Sequence, residues 1–452
     1  MAKLQNKNSK RTSNSKQALL ERIKLKAAGI DIGSEMIFIA IMGQMVKSFT
    51  TFTSGIQEAV NYLKENDITT VAMEATGIYW FPIYEAIDEA GIEVYVVNGG
   101  HVKNVPGRKT DVLDSEWLRE LHTYGLLRSS FVPRDDIRKL RYYIRLRSDH
   151  IGVGASYIQH IQKNFDAMNL KLHNVISDIM GKSGQRVIRA ILAGERCPEK
   201  LLQLCSTDIR KNKADRVLKS LEGNYRQEYL FGAKQALEMW EIYQQKIADC
   251  DKEIEKLLKE ITKNKNEITK LSSPKQIRHH EPAIKDLHLL MMKLTDNKDA
   301  TQIAGINDYT LLQLVSETGL DLFKWPSDKH FTSWLGLAPP ANSSGKQGKK
   351  SPKKKRKPNQ AGRIFKQIAM SVGNGKHCAL AGFYRRIKSR SGAAVANKAT
   401  ARKIAVYYYF LMTKGIEFVD EGLKKYEERY NEQRIKSLEK KAKEMGMKLV
   451  AA

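Results

Sequence analysis

Between residues 26 and 124, short apolar segments alternate with amphipathic ones, a pattern that leaves few possible folds. Five segments are typical of strands, and they are residues 26–33, 36–43, 45–53, 69–75 and 92–97. Helical spacing of apolar residues follows at 54–65, 79–90 and 111–124, with Ser54 expected to cap the first helix. A strand meander followed by alternating helices and strands predicts an α/β sheet domain that ends near residue 135.

Acidic residues mark the ends of two predicted strands and the start of one helix. Asp31 closes the first strand, Glu74 closes the fourth, and Asp111 and Asp114 lie three positions apart on one helix face. Phosphoryl transfer uses two divalent cations about 4 Å apart, and Mg²⁺ prefers carboxylate oxygen ligands. Four like charges at one place are costly unless cations neutralise them. The set predicts a site for two Mg²⁺ ions, which Mn²⁺ can replace, although each acid alone is more typical of a cap or a surface position.

The charge of the chain indicates a polyanionic partner. Lys and Arg number 77 against 50 Asp and Glu, which gives a formal net charge of +27 over 452 residues. Such an excess speeds the capture of nucleic acid, and each neutralised phosphate releases counterions. The same balance also fits a protein of an RNA scaffold, or a basic surface without a partner. Charge therefore favours DNA or RNA as a partner without choosing between them.

The cysteines and the apolar runs exclude other classes of protein. The four cysteines, at positions 197, 205, 250 and 378, form no CxxC pair and no zinc spacing with histidine. They are typical of reduced thiols in a cytosol. No apolar run approaches the roughly 20 residues that span a bilayer, and residues 1–22 are basic and polar. We therefore expect a flexible basic arm on a cytoplasmic protein with no membrane partner.

Residues 136–293 are poor in Gly and Pro and predict a helical middle region. A long helix with a basic face is expected over 138–169. A heptad pattern of apolar residues then runs from about residue 236 to 271. Its positions are Trp240, Tyr243, Ile247, Cys250, Ile254, Leu257, Ile261, Ile268 and Leu271. This pattern predicts a coiled coil, formed either as an antiparallel hairpin within one chain or between two chains.

Residues 294–420 predict a third, mainly helical region. Residues 301–319 place a glycine-centred turn between two short helices, which resembles a helix-hairpin-helix that offers backbone N–H groups to DNA phosphate. Ordinary packing of two helices in a core gives the same pattern. A basic loop follows, with nine Lys or Arg and no acid between Lys346 and Arg363. Two basic helices, an apolar helix at 399–414 and a charged helix at 421–452 complete the chain.

Several side chains in these regions are candidates for contact with nucleic acid. The expected phosphate contacts are Lys346, Arg363, Arg385 and Arg386. The aromatic candidates for stacking on bases are Tyr79, Trp80 and Trp334. Each of the aromatic residues is more often a core residue, and Trp334 in particular has the apolar neighbours of a buried side chain.

Two sets of motifs, in order along the chain, resemble one family. The first set is AAGIDIGSE, VAMEATGIYW and RKTDVLDSEWL, which carry the four acids. The second is AGINDYTLLQLVSETG, FTSWLGLAP, NSSGK and GFYRRIKSRSGAAVANKATARKIA. With both sets the chain resembles the DEDD-type insertion-sequence transposases, a group now described as bridge-RNA-guided recombinases.

The resemblance implies a specific fold and reaction. It implies a RuvC-like, ribonuclease-H-type domain over 23–135 and a transposase domain over 294–420. It implies that a serine attacks DNA phosphate, which is Ser344 on the matching Ser-Gly segment, with Ser343 as the adjacent alternative. It also implies excision and insertion of a mobile element in a bacterial or archaeal cytoplasm, a structured non-coding guide RNA, and a dimer or tetramer. The lysine-rich stretch at 349–357 is heavier than the family pattern.

Two other functions fit part of the sequence. A Holliday-junction resolvase or similar structure-specific nuclease shares the acidic site but needs no serine nucleophile. A non-enzymatic RNA-binding protein fits the charge and treats the acids as incidental. From residue types alone, the segment Ser343–Lys346 is more typical of a polar turn than of a nucleophile.

Overall fold

The structure is a computed structural model that describes most of the chain. The described residues are 21–99, 111–268, 271–339, 357–375, 378–415, 428, 431–432, 435–439 and 442–448, without the side chains of 111–113. The chain divides between Val132 and Pro133 into two compact units. The predicted boundaries near residues 22, 293 and 420 stay predictions, and most of the expected C-terminal helix lies outside the described residues.

The first unit is built on one mixed sheet of five strands. The strands are β1 (Ala27–Ile32), β2 (Met36–Ile41), β3 (Lys47–Thr50), β4 (Thr70–Glu74) and β5 (Glu93–Val97). Their order is β3-β2-β1-β4-β5; the pairs among the first three strands are antiparallel, and β1–β4 and β4–β5 are parallel. The predicted α/β sheet is confirmed, and its strand order is consistent with a ribonuclease-H-like fold.

Helices cover both faces of this sheet. They are α1 (Thr53–Glu65), α2 (Trp80–Glu89) and α3 (Asp111–Thr123). Alternate strand residues such as Ile30 and Met73 enter a core with α1 and α2, and α3 packs on β1, β2 and β4. The expectation that Ser54 caps α1 is wrong, because the cap is Phe52 and Ser54 already lies in the first turn.

The described part of the second unit is helical. Its helices are α4 (Asp135–Ala167), α5 (Lys182–Leu192), α6 (Pro198–Gln203), α7 (Thr207–Ser220), α8 (Gln227–Thr262), α9 (Leu287–Leu294), α10 (Asp308–Thr318), α11 (Asp328–Trp334), α12 (Gln360–Asn374), α13 (Ala379–Ser391) and α14 (Ala393–Lys414). Within the described ranges, none of these helices combines the length and apolar character needed to cross a bilayer.

The long helices α4 and α8 pack against each other in antiparallel directions. A Cβ on Gly154 of α4 would lie 3.7 Å from the Cβ of Tyr243, whereas Gly232 of α8 lies beside Asn164, near the other end of α4. The heptad positions Cys250 and Ile254 are buried. Of the two expected arrangements, the structure therefore contains the hairpin within one chain. A coiled coil between chains stays a prediction.

The predicted extent of the heptad region, to residue 271, is wrong. Helix α8 ends at Thr262, and Ile268 and Leu271 lie outside any helix. Asn264 and Asn266 follow the last turn, and asparagine favours local side-chain hydrogen bonds over the helical interior. Polar residues thus end the helix before the two apolar residues that match its heptad spacing.

A buried arginine joins three helices of the second unit. The Arg147 side chain of α4 is 1% exposed, and its Nε donates to Asp251 Oδ1 of α8 at 2.6 Å. Its Nη1 donates to the Tyr309 hydroxyl of α10 at 2.8 Å, and Nη2 donates to the His280 carbonyl at 3.1 Å. Paired and hydrogen-bonded in this way, the charge is tolerated inside the unit.

The segment predicted to form a helix-hairpin-helix contains one 3₁₀ turn and one α-helix. Its second helix is α10, where the Asn307 side chain accepts a hydrogen bond from the backbone N–H of Thr310 at 2.9 Å. The first of the two expected short helices is a single 3₁₀ turn, Ala300–Gln302. Gly305 reverses the chain with a φ of 84°. The short segment between Asp299 and Gly305 therefore has room for only one helical turn.

Candidate active site

Two of the predicted acids lie at the same edge of the sheet and on the same face. The parallel pairing of β1 and β4 aligns Ile30 with Met73, so Asp31 and Glu74 follow at equivalent positions at the carboxyl ends of their strands. Ile30 and Met73 point into the core with α1 and α2. Because successive strand residues point to opposite faces, Asp31 and Glu74 belong to the face that α3 covers.

Helix α3 approaches this face closely and runs opposite to β1 and β4. A Cβ on Gly29 of β1 would lie 2.9 Å from Arg119 Cα and closer still to the Ser115 carbonyl oxygen. Farther along α3, His122 Nε2 lies 2.9 Å from Thr70 Oγ1, at the amino end of β4. These two contacts fix the direction of the helix.

That direction brings the start of α3 level with the acidic edge. Asp111 precedes Ser115 by four residues, which is about 6 Å along a helix. Asp31 follows Gly29 by two residues, which is about 6.5 Å along a strand. The first turn of α3, which contains Asp111 and Asp114, is therefore level with Asp31. It is also level with Glu74, because β1 and β4 place Asp31 and Glu74 at equivalent positions.

The described carboxylates are not gathered into one coordination sphere. Among the residues with described side chains, no group of three or more His, Cys, Asp or Glu lies close enough to hold a metal ion. The Glu74 carboxylate is turned towards Gly99, where an added Cβ would lie 2.6 Å from Glu74 Cδ. Asp114 is half-exposed, and the side chain of Asp111 is outside the described residues. The carboxylate oxygens and their shared face of the sheet thus suit a divalent metal. The described side chains alone do not form a complete set of ligands.

A different polar cluster lies at the opposite edge of the same sheet. His122 is buried beside Thr70, and its ring centroid lies 4.6 Å from that of Tyr95. Lys24 pairs with Glu93 at 3.3 Å and lies 3.5 Å from the Tyr95 ring centroid. Burial, and next the charge of Lys24, lower the pKa of His122 to about 4. This histidine is therefore neutral at pH 7.

The predicted phosphate contacts lie in the second unit. Arg363 of α12 and both Arg385 and Arg386 of α13 are exposed, as contact with DNA requires. Arg385 Nη1 donates to the Gly375 carbonyl at 2.7 Å, and the Arg386 guanidinium lies 6.0 Å from the Phe383 ring centroid. The predicted nucleophile Ser344, its neighbour Ser343, and Lys346 lie outside the described residues.

The aromatic candidates differ in exposure. The Tyr79 side chain is 47% exposed, at the start of α2 and five residues after Glu74. Trp80 stacks on Phe81 at 4.1 Å between ring centroids and packs on the sheet core. Trp334 packs on Trp325 at 4.7 Å. Tyr79 is thus the aromatic candidate best exposed for contact with a base.

Two glycines of this site were not identified from the sequence. Gly29 allows the backbone of α3 to contact β1, and Gly99 allows the Glu74 carboxylate to lie against the backbone after β5. A glycine inside an apolar strand is a known sign of close backbone approach. The segment AAGIDI therefore contained a signal for Gly29, whereas the contact of Gly99 depends on the pairing of two distant strands.

Two models of known protein families match parts of the chain. A family model described as a transposase of the DEDD IS110 type matches residues 28–169. A second model, the transposase of the IS116/IS110/IS902 family, matches residues 298–384. A search of curated proteins finds no match. The two family matches, which together cover about half of the chain, define a transposase, a class of enzyme that cleaves and rejoins DNA. More narrowly, the chain belongs to the DEDD transposases of the IS110 family of insertion sequences.

Proposed function

We propose that this transposase excises and inserts its own element as an RNA-guided recombinase with Ser344 as nucleophile. Asp31, Glu74, Asp111 and Asp114 would hold two Mg²⁺ ions, with Mn²⁺ as a substitute. The main support is that the acidic ends of β1 and β4 and the first turn of α3 share one face and one level of the sheet. The family membership makes DNA the substrate and a divalent metal the usual cofactor.

The proposed reaction is a transesterification at DNA phosphate. The Ser344 hydroxyl loses its proton, its oxygen bonds to phosphorus, and the bond from phosphorus to one sugar oxygen breaks, so that oxygen gains a proton. Rejoining reverses these steps with a different strand, which restores the serine. Bound Mg²⁺ supplies charge stabilisation for the attacking and leaving oxygens. The carboxylates hold the metal, and the exposed Arg363, Arg385 and Arg386 neutralise the DNA backbone.

The partners of this reaction also belong to the proposal. A net charge of +27 suits a protein that holds both DNA and a structured guide RNA. Exchange between two duplexes needs more than one serine, so a dimer or tetramer is expected. The enzyme would act on the nucleoid in the cytoplasm of a bacterial or archaeal cell.

A strand-exchange assay with purified protein, guide RNA and two DNA duplexes tests the serine. Ser344→Ala should abolish exchange, and Ser343→Ala, the same change one residue away, should retain it. Asp31→Asn should abolish exchange as well. If Ser344→Ala retains full exchange while Asp31→Asn does not, the serine mechanism is wrong; if the wild-type protein only cleaves DNA, with Mg²⁺ and without rejoining, the chain acts as a structure-specific nuclease. If the wild-type protein binds the RNA but shows no Mg²⁺-dependent cleavage or exchange of DNA, the non-enzymatic RNA-binding function replaces both.

Metal binding can be measured apart from activity. Isothermal titration with Mn²⁺ should show binding to the complete protein that is weakened by Asp31→Asn and by Asp114→Asn. Glu116→Gln, the same loss of one negative charge on the same helix, is the matched control and should leave affinity unchanged. Equal weakening by all three variants would mean that the negative charge of the first unit attracts cations generally rather than through the proposed ligands.

A further inference from the structure

The second unit contains a groove that is lined by none of the predicted site residues whose side chains the structure describes. It lies between the start of α11, the segment that follows α11, and helices α13 and α14, and its volume is about 820 Å³. This size is within the range of 300–1,000 Å³ that is usual for small-molecule sites. Phe383 and Tyr407 supply aromatic surface, and Val406 and Ala399 supply aliphatic surface.

The polar lining of this groove is mostly cationic. Lys398, Arg402 and Lys403 line it, and among its described lining residues Asp328 is the sole carboxylate. Arg402 Nε is buried without a hydrogen-bond partner in the described structure. Lys403 Nζ lies 4.9 Å from the Phe383 ring centroid. Burial, and next the charge of Arg386, lower the pKa of Lys403 to about 8. An anion in the groove would give Arg402 Nε a hydrogen-bond partner, and its negative charge would raise the pKa of Lys403.

We propose that this groove holds one unpaired nucleotide of the DNA substrate. The base would stack against Phe383 and Tyr407, and its phosphate would pair with Arg402 and Lys403. Asp328 can accept a hydrogen bond from an exocyclic amino group, which adenine, cytosine and guanine carry and thymine lacks. Aromatic surface beside cations is the combination by which proteins hold extruded bases.

The assignment to DNA rather than RNA rests on the proposed function. Pro339, on the rim of the groove, precedes Ser344 by five residues in the sequence. Five residues of any chain span at most about 18 Å. Strand exchange also leaves nucleotides transiently unpaired where strands cross between duplexes. A groove for one such nucleotide would hold the crossing strand while the phosphate reacts.

The test is the binding of complete protein to a fluorescent DNA duplex that carries one bulged adenine, compared with the fully paired duplex at the same salt. We expect about tenfold tighter binding of the bulged duplex, because one stacked base is worth this much. Ala399→Trp fills the groove and should remove the preference. Ala393→Trp places the same side chain at the exposed first residue of α14, outside the groove, and should keep it.

A second pair of variants keeps the test decisive if Ala399→Trp loses its helical circular dichroism. Lys403→Gln should remove most of the preference for the bulge, whereas Lys388→Gln on α13 should weaken both duplexes equally. The proposal is overturned if the wild-type protein shows no preference, if Lys403→Gln or a folded Ala399→Trp keeps it, or if only a bulged RNA duplex is preferred. Ser344→Ala should bind the bulged DNA normally, so failure of the serine chemistry and failure of the groove are distinguishable.

Discussion

Replacing Gly29 with alanine should push α3 away from the sheet and disturb the candidate metal site. The added methyl group would lie 2.9 Å from Arg119 Cα and closer to the Ser115 carbonyl oxygen, whereas carbon atoms prefer a separation of about 3.5–4.0 Å. Neither obstacle is a flexible side-chain end, because both belong to backbone. The helix must therefore move by about 1 Å, and Asp114, directly before Ser115, moves with it.

The loss of stability expected for Gly29→Ala is that of an overpacked interior. Overpacking a close-packed interior destabilises a protein by about 1–3 kcal/mol, and the first unit should lose this amount. Hydrogen exchange of peptides from β1 and α3 in urea, read by mass spectrometry, reports the local free energy of opening. Strand exchange should also fall by about 100-fold, since a misplacement of 1 Å can have this effect on catalysis.

The matched control is Gly152→Ala in α4, where an added Cβ would meet no atom within 4 Å. Alanine is favoured over glycine inside a helix, so this variant should be stabilised by about 0.5–1 kcal/mol. If Gly29→Ala is as stable and as active as the wild type, α3 does not contact β1 at this point. In that case the first turn of α3 would not be level with Asp31 and Glu74.

Three further predictions concern stability. The folded pKa of His122 is about 4 against an ordinary value of 6.5. The first unit should therefore be fully stable above pH 6.5 and lose up to about 3 kcal/mol as the pH falls to 4. His122→Gln should remove this pH dependence of the free energy of unfolding, measured by urea titration. Asp251→Ala leaves Arg147 buried and unpaired and should destabilise the second unit by about 3–5 kcal/mol, whereas Asp251→Leu combined with Arg147→Met should recover most of that loss in thermal unfolding. Asn307→Ala removes the cap of α10 and should lower the free energy of unfolding by about 1 kcal/mol, measured by chemical denaturation, and Asn307→Asp should retain it.

Local patterns predicted the sheet and its acidic edge. Short apolar segments bounded by turn residues identified all five strands, and Asp31 and Glu74 were placed at the ends of β1 and β4. These patterns depend only on residues that are neighbours in the sequence, so they can be recognised in a single sequence. The same holds for α3, whose bounds match the predicted helix within a residue.

Long-range packing could not be predicted in this way. The contact of Gly29 with Ser115 joins residues 86 positions apart in the sequence, and the direction of α3 depends on it. The burial of Arg147 depends on α8 and α10 meeting α4. The groove between α11, α13 and α14 is likewise a product of three packed helices.

In the proposed reaction, Ser344 becomes bonded to DNA in a step that needs the acidic site. The most direct measurement traps the protein on DNA in the presence of Mg²⁺, digests both, and locates the attached nucleotide by mass spectrometry. We predict a nucleotide on Ser344 that is absent without Mg²⁺ and absent in Asp31→Asn. A nucleotide on Ser343, or cleaved DNA with no nucleotide on any residue, would contradict the claim.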